Sequence, residues 1–132
     1  PGGRLAITTW GPDLFEPANS AFWDAVGNVR PDLQRSFNPW DRISDPAGLQ
    51  KMLAEAGVYT DDITSEAGSH PLQTSEDWWK IAMGSGYRGT LEQLDADTFN
   101  HVYATNLKGL NNNQVQSITT NVLYAVAQKS SP

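Results

Sequence analysis

The sequence predicts an α/β protein with a small sheet of about three strands and four or five helices. Three observations carry the prediction. Leu5-Ala6-Ile7-Thr8 is a short apolar run closed by Gly and Pro at both ends, of the length of a strand buried on both faces. Residues 116–129 form the longest β pattern, Ile118, Thr120, Val122, Tyr124 and Val126 on one face and Thr119, Asn121, Leu123, Ala125 and Ala127 on the other. Between these runs lie amphipathic segments with recognisable starts and stops.

Both faces of the terminal run are mostly apolar, which predicts a central strand covered on both sides. The first run, over 4–9, predicts a neighbour in a parallel or mixed sheet. Ligands of such sheets gather at the carboxyl ends of parallel strands, which here points to Thr8, Thr9 and Trp10. Asp13–Ser20 reads as a Pro-marked loop, followed by a short helix over 21–26 with Phe22, Trp23 and Val26 inward and Pro31 as its end. Residues 32–43 have no period and read as irregular cover.

Asp45 as a cap, Pro46 at the first helical position, an apolar face of Leu49, Met52, Leu53 and Ala56, and Gly57 as a left-handed stop predict a helix. Residues 58–69 alternate weakly and carry Asp61, Asp62 and Glu66, as suits an edge strand on which charge discourages pairing. These acids lack the spacing of a calcium loop, and His70 and His101 are too far apart in sequence to suggest zinc. Thr74 and Asp77 have capping-box spacing at the head of a helix that Gly84 closes. Its adjacent tryptophans, Trp78 and Trp79, point about 100° apart, so one is expected in the core and the other along a cleft or a second contact. The Gly84–Gly89 turn lacks the Lys-Ser/Thr of a phosphate loop and follows a helix rather than a strand. Two further helices are expected over 90–94 and 95–107, the second capped by Asp95.

With 132 residues the natural reading is a single domain, 1–132, with a helical insert at about 72–114. A net charge of −6 with nine scattered Lys and Arg argues against a nucleic-acid surface. No cysteine is present and no apolar run is long enough for a membrane span, and the expected location is cytoplasmic. Pro1 rather than Met stands first, so the start reads as a processed, proteolysed or engineered end, and the absence of a signal peptide proves nothing about the parent protein. Of the five tryptophans, Trp23 and Trp40 are as readily core-fillers as functional groups.

Pro1-Gly2-Gly3-Arg4-Leu5-Ala6-Ile7 resembles the turn and fifth strand of class I S-adenosylmethionine-dependent methyltransferases. The order strand, helix, Gly57, polar strand, helical insert and terminal strand is similar to the remainder of that fold, over essentially the whole chain. Within the class the likeness is greatest to ubiquinone/menaquinone-biosynthesis-like methyltransferases. There, a segment resembling Asp77-Trp78-Trp79 and Gly84-Ser85-Gly86-Tyr87-Arg88 covers the acceptor pocket in a subset of members.

The resemblance implies a truncated Rossmann-like fold. Strand 4–9 would lie antiparallel to a central strand 117–128, with strand 58–66 antiparallel on its far side. The parent would use S-adenosylmethionine, but the glycine-rich loop and acidic residue that hold it belong to segments this chain lacks. No cofactor binding is therefore expected of the chain alone, and it would be inactive by itself. What remains is the side that binds a small-molecule methyl acceptor: Thr9, Trp10, Phe15, His70, Trp78, Trp79, Tyr87 and Arg88. His70 would be a general base for a hydroxyl acceptor, and Arg88 a partner for an acidic substrate group. Loss of a neighbouring strand would leave strand 4–9 able to drive self-association. The alternative is a free-standing ligand- or protein-binding module derived from the same fold.

Overall fold

Alternation between Arg4 and Trp10 produces β1 (Arg4–Trp10), which pairs antiparallel with β5 (Val122–Gln128), from Arg4 opposite Gln128 to Trp10 opposite Val122. On the other side of β5 lies β2 (Ile63–Glu66), also antiparallel, with Ile63 opposite Ala125 and Glu66 opposite Val122. The sheet order is β1-β5-β2, so the terminal strand is central, as expected. Both ladders are antiparallel, which corrects the expectation of a mixed sheet. The computed structural model describes residues 3–35, 38–60 and 62–128. Pro1, Gly2, Phe37, Asp61 and Lys129, which entered the sequence reading, lie outside the described residues.

The chain divides into two compact units. The first comprises Pro1–Leu14, Phe37–Ser69 and Thr119–Pro132 and contains the three-stranded sheet. One face of that sheet is covered by α2 (Pro46–Glu55). Asp45 Oδ1 accepts from the Gly48 N–H at 2.9 Å, Pro46 takes the first turn, and Gly57 follows at φ 73°, so every boundary signal of this helix acts as predicted. Leu49, Leu53, Leu123 and Ala125 form the core of the unit, with Ile7, Met52, Val58 and Ile63 against it.

Two expectations fail here for one reason. Neither β1 nor β5 is covered on both faces: Ala6, Thr8 and Trp10 are exposed, and Tyr124 is 38% exposed while its neighbours Leu123 and Ala125 are buried. A single helix can cover only one face of a three-stranded sheet, so period-2 burial appears where the sequence is apolar on both sides. The terminal run is also broken, into β4 (Ser117–Thr119) and β5. At the break, Asn121 Oδ1 accepts from the Gly68 N–H at 3.1 Å and its Nδ2 donates to the Pro12 carbonyl at 3.1 Å. A side chain takes the donor that a strand neighbour would have used. For the same reason the expected strand over 58–69 shortens to β2, with β3 (Ser69–Pro71) beginning after Gly68 and pairing with β4.

The second unit, Phe15–Ser36 and His70–Ile118, is mostly helical. Helix α1 (Ala18–Val29) is longer than predicted because Glu16 supplies the missing cap: its Oε2 accepts from the Ser20 N–H at 3.2 Å. Phe22 and Val26 are fully buried, whereas Trp23 is only half-buried. Residues that read as irregular cover form two short 3-10 helices, Pro31–Leu33 here and Pro39–Ile43 in the first unit. Helices α3 (Ser75–Met83), α4 (Arg88–Leu91) and α5 (Ala96–Asn112) follow. Asp95 Oδ1 accepts from the Thr98 N–H at 2.8 Å, so α5 starts where its cap predicts, and it runs five residues beyond Leu107.

At the head of α3, Asp77 Oδ2 accepts from the N–H groups of Gln73 and Thr74, and Oδ1 from Lys80 Nζ at 2.9 Å. The Lys80 hydrogen bond, followed by that of the Thr74 backbone, holds the Asp77 carboxyl below its ordinary value of 3.8. A depressed carboxyl stabilises the fold above the unfolded-state value and ceases to do so as pH falls through the folded one. Asp77→Asn is therefore expected to lower the melting temperature by a few degrees at pH 7. The gap to the parent should close as pH drops well below 3.8, as thermal scans at stepped pH would register.

Candidate functional site

The aromatic residues predicted to bind substrate come together in the second unit, as a packed cluster. Helix α3 places Trp78 and Trp79 a residue apart, yet both are buried, at 0% and 9% exposure. Of the two expected settings for the second tryptophan, a cleft or a second contact, Trp79 takes the contact. Trp78 faces Phe15 (5.8 Å between ring centroids), Tyr87 (5.3 Å) and Phe22 (6.5 Å), while Trp79 turns to Phe99 (5.6 Å) and Tyr103 (5.1 Å) on α5. Both directions are lined because α5 packs against α3 and α1. Edge-to-face geometry prevails, as aromatic quadrupoles favour.

A polar chain borders the cluster. Tyr87 Oη donates to Asn19 Oδ1 at 2.7 Å, Asn19 Nδ2 donates to Glu16 Oε1 at 2.8 Å, and Ser20 Oγ donates to the same carboxylate oxygen at 2.9 Å. Burial, and secondarily the charge of Glu16, push the Tyr87 phenol well above its ordinary value of 10, so it remains a protonated donor. Phe15, just before this chain, holds φ 63°, a left-handed conformation costly for a bulky residue. Below the rings, Trp78 Nε1 donates to Asn106 Oδ1 at 2.9 Å, while the buried Asn106 Nδ2 has no hydrogen-bond partner among the described residues.

The other predicted residues are not members of this cluster. His70 is exposed on the short strand β3, and Arg88, at the start of α4, forms a surface ion pair with Glu92 at 2.7 Å. Thr9 is half-buried and Trp10 is 47% exposed, both at the end of β1 in the first unit. Glu16, Asn19 and Asn106 were missed by the sequence reading. The first two had a readable signal, a Glu-x-x-Asn-Ser spacing that can bridge a first helical turn. Asn106 had another, a polar residue four from Val102 and four from Leu110 on an apolar stripe.

Two grooves lie outside these residues. One of about 510 Å³ in the first unit is lined by Gln50, Ala54, Tyr59 and Thr60, and one of about 340 Å³ in the second includes Thr74, Ser75, Asn111 and Gln114. Among the described residues no group of three or more His, Asp or Glu is placed to hold a metal ion, and no helix is long and apolar enough to cross a membrane.

No protein-family model matches the chain, and no curated protein matches it. Among solved structures the chain is similar to Haemonchus contortus phospholethanolamine N-methyltransferase 2, in complex with phosphomonomethylethanolamine and S-adenosylhomocysteine. Identity is 16% and the TM-score 0.34, over 99% of this chain and 27% of that one. The chain thus spans about a quarter of the length of that protein.

Proposed function

We propose that the chain is the acceptor-substrate side of an S-adenosylmethionine-dependent methyltransferase, of the ubiquinone/menaquinone-biosynthesis-like kind, whose cofactor is held by a part of the protein outside these residues. The observation that supports this most is the sheet order β1-β5-β2 with the terminal strand central and antiparallel to both neighbours. The helical segment α3 to α5, between β3 and β4, stands where the resemblance expects an insert over the acceptor.

No cofactor binding is expected of the described residues by themselves. The Gly84–Gly89 turn connects α3 to α4, so it follows a helix rather than a strand end. Arg88 within it is engaged by Glu92. On this reading Thr9 and Trp10, at the end of β1, contact the acceptor. Trp78 and Trp79 act as the buried wall that positions Phe15 and Tyr87, and the protonated Tyr87 anchors the loop through Asn19. His70 would take the proton of a hydroxyl acceptor, and Arg88 would pair an acidic group on release from Glu92.

Calorimetry of the 132-residue chain with S-adenosylmethionine at about 1 mM should show no heat of binding, a concentration at which a site worth roughly 4 kcal/mol is half filled. A longer product carrying the upstream residues should bind it saturably. Saturable binding by the short chain would overturn the reading. The alternative of a free-standing binding module draws on the partly exposed Trp10 and Tyr124 of the sheet, and a start codon directly before that of Pro1 would favour it.

A further inference from the structure

The polar run Asn111-Asn112-Asn113-Gln114 ends α5, and the chain turns back at once. Gln114 takes φ 52°, the left-handed residue that often closes a helix, and the Val115 N–H donates to the Leu110 carbonyl at 3.0 Å. Two residues on, the Leu72 N–H donates to the Gln116 carbonyl at 2.8 Å. These bonds hold the tail of α5 beside the head of α3, and the groove of about 340 Å³ lies there, within the second unit.

Every side chain lining that groove is uncharged. Gln73, Asn111, Gln114 and Gln116 line it with carboxamides, none of which is hydrogen-bonded to another described residue. Ser75, only 8% exposed, lines it too, and neither its hydroxyl nor its backbone N–H has a partner among the described residues. The N–H is one of the donors that the first turn of a helix leaves over. A hydroxyl so deeply buried is normally paired, so Ser75 marks where a ligand's polar group completes the set.

The chemistry of that partner follows from the lining. With no Lys, Arg or His, only the N-terminus of α3 could hold an anion, and Glu76 and Asp77 already fill that first turn with negative charge. With no Asp or Glu in the lining, a cation finds no counter-charge. A carboxamide offers donors on nitrogen beside acceptor sites on oxygen, and a hydroxyl both donates and accepts. Two neighbouring hydroxyls can therefore close a two-point ring with one carboxamide in either orientation, whereas a peptide group, with one donor and one fixed acceptor, cannot adapt in this way. Leu110 and Val115 add an apolar side suited to the C–H groups of a sugar ring. We propose that this groove binds a neutral polyol of monosaccharide size, with Ser75 and Asn111 among its direct hydrogen-bond partners. The site shares no residue with those assigned to the methyl acceptor and stands independently of that assignment.

Amide NMR shifts of the 132-residue chain, titrated with glucose, mannose, galactose and myo-inositol to about 100 mM, test this. At least one should saturate with a dissociation constant of about 10 mM or tighter. Its shifts should concentrate at the Ser75 N–H and at the carboxamides of Asn111, Gln114 and Gln116. Ser75→Ala should weaken binding about fivefold or more, as loss of one hydrogen bond implies. Asn111→Ala should weaken it similarly without lowering the melting temperature, since Asn111 is exposed and Ala suits the last turn of α5. That second variant keeps the test intact if Ser75→Ala disturbs α3. Inorganic phosphate and N-acetylalanine methylamide should leave the same signals in place. No saturable shift with any of the four polyols, binding unchanged in both variants, or tighter binding of phosphate or the blocked peptide would each overturn the proposal.

Discussion

Trp78→Ala should destabilise the second unit by about 3–5 kcal/mol, enough to unfold a unit of ordinary stability. Trp78 has no exposed surface and packs edge-on against Phe15, Phe22 and Tyr87, so its removal opens a cavity that three rings with fixed partners cannot collapse into. A second cost adds to the first. Asn106 Oδ1 loses the indole N–H that it accepts from, leaving both polar ends of a buried amide unpaired, for about 1–3 kcal/mol more. Trp78→Phe keeps most of the packing and isolates that second cost. The double change Trp78→Phe, Asn106→Leu replaces both partners with apolar groups and should recover part of it. Urea unfolding followed by near-ultraviolet dichroism would measure all three.

Leu49→Ala carries the largest expected effect in the first unit, about 2–5 kcal/mol. Leu49 is fully buried, and the core around it is Leu53, Leu123 and Ala125, too few side chains to redistribute the lost volume. Hydrogen exchange at β5 amides should accelerate strongly, because α2 covers the only well-buried face of that strand. Leu5→Ala, at an edge position of 41% exposure, should cost far less in the same measurement.

What the sequence revealed best were local features with a chemical signature. Asp45, Asp77 and Asp95 accept the backbone hydrogen bonds that their spacing predicts, and Gly57 adopts the left-handed turn. The centrality of β5 came out as read from its two apolar faces, although only one of those faces is covered. Burial was legible only in part. An apolar residue costs little when exposed, so Leu5 on the edge strand and Tyr124 on the uncovered face of the central strand look like core residues in the sequence and are not. Asn121 broke the terminal strand through a side-chain bond to Gly68, a residue 53 positions away.

The site was legible as composition and illegible as geometry. Phe15, Trp78, Trp79 and Tyr87 did assemble, but as interdigitated rings, because α5 supplies Phe99 and Tyr103 to the second tryptophan. The polar chain from Tyr87 through Asn19 to Glu16 spans 71 residues of sequence, and only the fold brings its members together. Trp40, equally open to a core reading, is 66% exposed, since Pro39 opens a 3-10 turn that holds none of its side chains in a core.

The proposal that this chain forms the acceptor side of a methyltransferase is tested most directly by steady-state kinetics of the longer product carrying Trp10→Ala. Trp10 is exposed enough to be removed without collapse of the sheet. The account predicts that KM for the methyl acceptor rises by about tenfold or more while the dissociation constant for S-adenosylmethionine stays within about twofold. An unchanged acceptor KM, or a loss that falls on cofactor binding instead, would contradict it.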